Sequence, residues 1–193
     1  MHIRHNAVRD TFAEVLKEIC KDVQIEPQLL PITGEVLPPG SNVADGARAD
    51  VSTVGLWQPL NRAFLDIRVF NPHAPTNAAK EIDQMYSHHE KEKKRQYNSR
   101  IIEIEKGTFT PVIFSCSGGA SPETTRLLKV IATKLAKKRC ERYSMMVNYL
   151  RRRINFDILR TCVLSFRGIR GGMGHVAVSG VDIGLQPMAA GGT

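Results

Sequence analysis

The first elements predicted from the hydrophobic pattern are a helix and a loop. Residues 7–22 form the predicted helix, for which Asn6 is the expected N-cap. Its apolar residues recur at helical spacing: Val8, Phe12, Val15, Leu16 and Ile19. Residues 23–46 contain four prolines and three glycines, so we expect turns there and at most a short strand around residues 24–26.

The stretch that organises the prediction is residues 47–71, ARADVSTVGLWQPLNRAFLDIRVFN. Two apolar segments rich in β-branched residues flank a turn-prone middle, which predicts two neighbouring strands. Each segment carries one aspartate, Asp50 and Asp66. Burying a carboxylate is costly unless a positive group lies beside it. Each aspartate alone is explained as a strand-end residue satisfied by backbone donors, but the pair together favours a bound divalent cation.

The second half of the chain is predicted to be mainly helical. A long polar helix with Thr76 as its cap runs to about Arg100, and a hairpin follows over residues 100–117. Pro111 indicates that the second hairpin strand lies at a sheet edge or begins after the proline. Further helices are expected at residues 122–139, with Ser121 as N-cap, and at residues 143–164.

Together these elements predict an α/β fold in which a small mixed sheet is flanked by helices. Residues 1–167 form the predicted domain, whose part 121–167 is a basic helical extension. Residues 168–193 are rich in glycine and poor in charge, and we expect them to be a disordered tail.

The charge of the chain points to an anionic partner. The 193 residues carry a net charge of +8. Residues 126–160 contain eleven Lys and Arg against two acids, and Arg151, Arg152 and Arg153 are the densest point. Such a surface suits a nucleic-acid backbone, although charge that only aids solubility is an alternative.

Several other classes of site have weak support in the sequence. The four cysteines are widely spaced and read as reduced core residues. His88 and His89 lie on a polar helix and indicate a solvated face rather than a metal site. The N-terminal residues do not form a signal peptide, and no apolar run has the length of a membrane span, so we expect a soluble intracellular protein with no membrane partner.

Candidate chemistry centres on the two aspartates. With Mg²⁺ or Mn²⁺ they could activate water against a phosphodiester, and Glu14 is a further candidate ligand. Many nucleases with this order of elements place a lysine two residues after the second acid, but this chain has Arg68 there. Because a guanidinium stays protonated, the lysine must come from the charged helix, which offers Lys91, Lys93 and Lys94.

Four short motifs stand out when they are taken together. They are Arg4-His5-Asn6, Asp50, Asp66 within LDIRVFNP, and Lys94-x-x-Tyr97 within EKEKKRQYN. In this combination the chain resembles the restriction-like endonuclease domain of site-specific non-LTR retrotransposons, over about residues 3–170. The resemblance implies a fold similar to that of the PD-(D/E)XK nucleases and metal-dependent nicking of target DNA before reverse transcription.

The resemblance also implies a role for each motif residue. Asp50 and Asp66 become metal-binding acids, Lys94 the catalytic lysine and Tyr97 its helper. Arg4, His5 and Asn6 become DNA-contacting or structural residues at the start of the first helix. Apart from the resemblance, Arg68 and the charge-dense Arg151, Arg152 and Arg153 are further candidates for contact with DNA. The implied partners are DNA, element RNA and an upstream reverse transcriptase domain, and the implied location is the nucleus.

The chain departs from the pattern of this family in three places. Ala49 stands where a proline often precedes the first acid, and the gap between Asp66 and Lys94 is longer than expected. The zinc knuckle found before the Arg-His-Asn motif in relatives is missing from this sequence, which suggests a fragment of a polyprotein or a truncated copy. The alternative function is therefore a catalytically inactive nucleic-acid-binding remnant of a mobile-element protein.

Overall fold

A computed structural model describes residues 2–77 and 80–168 of the chain. The described residues form a mixed α/β fold with one four-stranded sheet and four α-helices, which confirms the predicted class. The elements in chain order are α1 (His2–Ile19), β1 (Lys21–Ile25), β2 (Val51–Val54), β3 (Arg62–Phe70), a 3₁₀ turn (Pro75–Asn77), α2 (Ile82–Glu103), β4 (Thr108–Ser115), α3 (Pro122–Arg139) and α4 (Tyr143–Gly168). The predicted disordered tail, apart from Gly168, lies outside the described residues.

The sheet has the strand order β1-β2-β3-β4. β1 pairs antiparallel with β2 and β2 antiparallel with β3, whereas β4 pairs parallel with β3. α2 provides the long connection that a parallel pair requires. β4 is the last strand of this sheet, a position that accommodates Pro111 because proline has no N–H to donate.

The two faces of β3 bury different partners. Leu65 and Ile67 belong to the main core, together with apolar residues of α1, α3 and α4. Phe64 packs in a cluster with Ile101 of α2, and Phe70 packs near the other end of α2. Because side chains alternate along a strand, Asp66 shares the face that α2 covers. The sheet is thus flanked by α2 on one face and by the other three helices on the opposite face.

Two predicted helix starts and one predicted strand are wrong. α1 has already begun by His2, so Asn6 lies inside it, and α2 starts at Ile82 after Glu81 rather than after Thr76. The first strand of the predicted hairpin is the last turn of α2, since the adjacent residues Arg100 and Ile101 are both buried against the core. By contrast, the predicted cap of α3 is confirmed: the Ser121 hydroxyl accepts a hydrogen bond from the backbone N–H of Thr124.

Arg100 fixes the position of α2 against the loop between β1 and β2. It is fully buried, and its guanidinium donates hydrogen bonds to three backbone carbonyl oxygens of that loop. These belong to Leu30 at 2.9 Å, Asn42 at 2.8 Å and Ala44 at 2.9 Å. A second link joins the same elements, as the backbone N–H of Asn42 donates to the carbonyl oxygen of Gln96 at 2.8 Å. The loop thereby holds α2 in one rotation about its axis.

We expect Arg100→Met to lower the free energy of unfolding by about 3 kcal/mol or more, because three buried carbonyl oxygens lose a charged donor. Urea unfolding followed by circular dichroism measures the loss. Arg95→Met is the matched control, since Arg95 is an exposed arginine of the same helix. Equal stability of the two variants would contradict this role for Arg100.

Candidate functional site

Asp50 and Asp66 lie next to each other where β2 meets β3. Val51 pairs with Leu65 in the antiparallel register, which sets Asp50 opposite Asp66. The backbone N–H of Asp50 donates to the carbonyl oxygen of Leu65 at 3.0 Å. Asp50 Oδ2 in turn accepts from the backbone N–H of Ile67 at 2.5 Å. Asp50 therefore contacts the main chain on both sides of Asp66, and the two carboxyl groups share one pocket.

The first turns of α1 reach this pocket through His5. His5 Nε2 lies 2.9 Å from Asp50 Oδ2, and His5 Nδ1 lies 3.3 Å from the Asn6 side-chain oxygen. The hydrogen bond to Asp50, reinforced by the negative charge of that residue, raises the pKa of His5. Two residues of the Arg-His-Asn motif thus position the first acid. Arg4, the third, is partly buried at the start of the same helix.

Lys93, rather than Lys94, is the lysine that meets the acids. Its ammonium nitrogen lies 2.6 Å from Asp66 Oδ2, and the side chain is only 18% exposed. Neighbouring residues of a helix point about 100° apart. Lys94 accordingly turns away and pairs with Glu123 in the first turn of α3. The predicted placement of Lys94 beside the acids is wrong for this geometric reason.

Tyr97, which the resemblance implies as the helper of Lys94, lies one turn beyond Lys93. The Lys93 ammonium lies 5.7 Å from the centre of the Tyr97 ring, and Asn42 donates to the Tyr97 hydroxyl at 3.4 Å. Burial and the negative charge of Asp66 raise the pKa of Tyr97. The tyrosine stays neutral at physiological pH and can hold Lys93 without adding charge to the pocket.

Burial makes ionisation of the Asp66 carboxyl unfavourable in this pocket. Asp66 is 4% exposed, and burial together with the nearby Asp50 raises the pKa of Asp66 to about 6, even though Lys93 opposes the shift. A divalent cation bound beside Asp66 would favour the ionised carboxylate and lower this pKa again. Asp50 and Asp66 are the side chains in this pocket that could hold a hard divalent metal ion through oxygen.

The structure separates the other predicted site residues from this pocket. Glu14 pairs with Arg153 of α4 and lies nine residues after His5, which is about 13 Å along the helix. It is therefore not a third ligand of a site at Asp50 and Asp66. Arg153 also donates to the Tyr149 hydroxyl at 2.8 Å. Arg151 and Arg152 are exposed on α4, across the sheet from α2.

Arg68 lies on the same face of β3 as Asp66, and its side chain pairs with α2 rather than with the acids. Its Nη1 donates to Glu92 Oε2 at 2.5 Å. His89, one turn before Lys93, is 8% exposed and packs against Phe70, so the predicted solvated face is wrong at this residue. The spacing of Met85, His89 and Lys93 by four residues was a usable sign that all three face inward.

Comparison of the whole chain with models of protein families, with curated proteins and with solved structures finds no match. Each helix within residues 2–77 and 80–168 is too short or too polar to cross a lipid bilayer.

The raised pKa of Asp66 predicts how stability depends on pH. An unfolded aspartate titrates near 3.9, so between about pH 4 and pH 6 the folded state binds the proton more tightly and stability falls as pH rises. Asp66→Asn removes the free-energy cost of ionising this buried carboxyl. We expect its free energy of unfolding to exceed that of the wild type by roughly 2 kcal/mol above pH 7 and by little at pH 4.

Urea unfolding at a series of pH values, in the presence of a chelator, measures this difference. Asp45→Asn serves as the control because Asp45 is exposed in the loop between β1 and β2. If the Asp66→Asn variant and the wild type give parallel curves across this pH range, the carboxyl of Asp66 is not desolvated as described.

Proposed function

We propose that this chain is a metal-dependent DNA endonuclease, with Mg²⁺ or Mn²⁺ held by Asp50 and Asp66. The observation that carries the proposal is the convergence of two carboxyl groups from neighbouring chain segments with the Lys93 ammonium in one buried pocket. The order helix, three strands, helix, strand is also the layout expected from the resemblance to restriction-like endonucleases.

The donor atoms fit such a metal ion. Both acids offer carboxylate oxygens, which are the preferred ligands of Mg²⁺ and Mn²⁺. Burial, and after it the nearby Asp50, raises the pKa of Asp66, and a bound divalent ion would favour the ionised carboxylate. When bound, the ion would supply Lewis-acid stabilisation of the scissile phosphate and help to activate water.

Lys93 would act on the reacting phosphate and the water. The Lys93 ammonium lies beside Asp66, at the edge of the proposed metal site. From there Lys93 would orient the attacking water and offset negative charge that develops on the phosphate. The Tyr97 ring limits where the ammonium can move, and His5 holds Asp50 in orientation.

The proposed context is integration of a non-LTR retrotransposon. The motifs that support it are Arg4-His5-Asn6, the two acids, and Lys94-x-x-Tyr97. We propose that Lys93, which contacts the Tyr97 ring, takes the role that the resemblance gives to Lys94. In that context the substrate is target DNA in the nucleus. The partners would be the element RNA and a reverse transcriptase domain of the same polyprotein.

A second candidate function is nucleic-acid binding without catalysis. Two observations favour it: each acid is already paired with a cation of the chain, His5 or Lys93, and exposed cations of α4 lie on the opposite face of the sheet. In this case the acids would serve to fix α1 and α2 on the sheet, and the basic helices would supply the binding surface.

A plasmid-nicking assay with Mg²⁺ or Mn²⁺ tests the enzymatic proposal. We expect wild-type protein to nick supercoiled DNA and Asp66→Ala to abolish the activity. Lys93→Met should lower the rate roughly 100-fold or more, because a cation aimed at the phosphate is lost. Lys94→Met is the matched control, as it makes the same substitution one residue away.

The outcomes separate the two functions. Nicking that survives Asp66→Ala, or equal losses in the two lysine variants, would contradict the proposed site. No nicking by wild-type protein, together with binding of DNA that weakens as salt rises, would support the non-catalytic function instead.

Substitutions on α4 test whether its arginines contact the nucleic-acid backbone. Arg152 is exposed and forms no ion pair with the described residues, whereas Arg153 is already paired with Glu14. We expect Arg152→Ala to weaken binding to all sequences alike. The slope of log affinity against log salt concentration should become shallower by roughly one unit. Arg153→Ala should change the slope less. A slope unaltered by Arg152→Ala would mean that α4 does not face the nucleic acid.

A further inference from the structure

A second cluster of metal-ligating side chains lies on α2, outside the carboxylate pocket. His88, His89 and Glu92 each offer a ligand atom, and these atoms all lie within 4.8 Å of one another. His89 Nδ1 is 3.7 Å from Glu92 Oε2. All three residues belong to one turn of a single helix, so the backbone holds their spacing nearly constant.

The buried histidine of the cluster carries an unsatisfied nitrogen. His89 is 8% exposed, yet its Nδ1 has no hydrogen-bond partner among the described residues. The 3.7 Å to Glu92 is too long for a hydrogen bond. The ring is held in place by Phe70, whose centre lies 4.6 Å away. Buried polar atoms are normally satisfied, so an orphaned nitrogen directed at a carboxylate calls for a ligand.

We propose that His88, His89 and Glu92 form a binding site for a transition-metal ion of the zinc type. Two imidazole nitrogens and one carboxylate oxygen suit Zn²⁺, whereas Mg²⁺ prefers an all-oxygen shell. Three protein ligands leave a fourth position for water. Tetrahedral bonds of 2.0–2.1 Å would set the ligand atoms about 3.4 Å apart, so small side-chain rotations close the cluster around the ion.

Arg68 sets the strength of this site. Its guanidinium lies 2.5 Å from Glu92 Oε2, the same oxygen that faces His89. An ion must therefore compete with Arg68 for the carboxylate and also meets its positive charge. Removing that charge should tighten binding, a result that an unrelated surface site would not give.

Isothermal titration calorimetry with Zn²⁺ on the full chain tests the proposal, with Co²⁺ absorption as a second readout of tetrahedral coordination. Single substitution of either accessible ligand, His88→Ala or Glu92→Gln, should weaken binding about tenfold or more. His88 is exposed, so the fold should survive its loss, and circular dichroism checks this. Arg68→Gln should tighten binding severalfold.

Two control variants define the site. His73→Ala removes another exposed histidine and should leave zinc affinity unchanged. Asp66→Asn should leave the zinc binding that depends on His88 unchanged, because that carboxyl belongs to the other pocket; a separate binding event lost with Asp66→Asn belongs to that pocket. The proposal would be overturned if His88→Ala and Glu92→Gln left all zinc binding unaltered, if Asp66→Asn removed the His88-dependent binding, or if the chain bound no zinc. Since the readout is binding, failure of the proposed nuclease activity would not affect it.

Discussion

The desolvated carboxyl of Asp66 is the group on which the arrangement of this molecule depends. It lies within β3, next to a second acid, and it is tolerated because the Lys93 ammonium is 2.6 Å away. The position of Lys93 depends on the rotation of α2 about its axis. That rotation is fixed two turns later, where buried Arg100 donates to the carbonyl oxygens of the loop between β1 and β2. A loop without regular structure thus controls the charge balance of the pocket.

The neighbouring cations do not fully offset the burial of Asp66. A pocket built only for stability would match each buried charge or replace it with apolar groups. Here Asp50 is held by His5 and by the main chain of β3, while Asp66 keeps a raised pKa although a lysine touches it. Sites that bind cations accept such a cost in the empty state, because the ligand later recovers it. The proposed metal site would explain why this cost is retained.

The elements with local signals were predictable from the sequence, and those decided by distant contacts were not. Ser121 followed by proline predicts the start of α3, because serine is a preferred N-cap residue. The apolar residues Leu65, Ile67 and Val69, which alternate with Asp66 and Arg68, predict β3. The end of α2 had no local signal of a helix, because apolar and charged residues alternate in the segment RIIEIE as they do in a strand. The carbonyl groups that bind Arg100 and keep this segment helical are about sixty residues away along the chain. The prediction that Lys94 meets the acids was wrong for a similar reason. Both lysines lie in a run of charged residues, and only the spacing of Lys93 from the buried residues Met85 and His89 shows that Lys93 faces the sheet.

The division of charge between the two faces of the sheet constrains how a nucleic acid could bind. Asp66 lies on the sheet face that α2 covers, whereas Arg151 and Arg152 project from α4 in the helical layer on the opposite face. A nucleic-acid segment bound beside α2 would therefore reach these arginines only by passing around the edge of the sheet. If the pocket receives the scissile phosphate, the nearby cations must come from the first motif and from α2. The α4 surface then adds affinity only for a longer, bent or second nucleic-acid segment, and such contacts with phosphates position a substrate without reading its sequence.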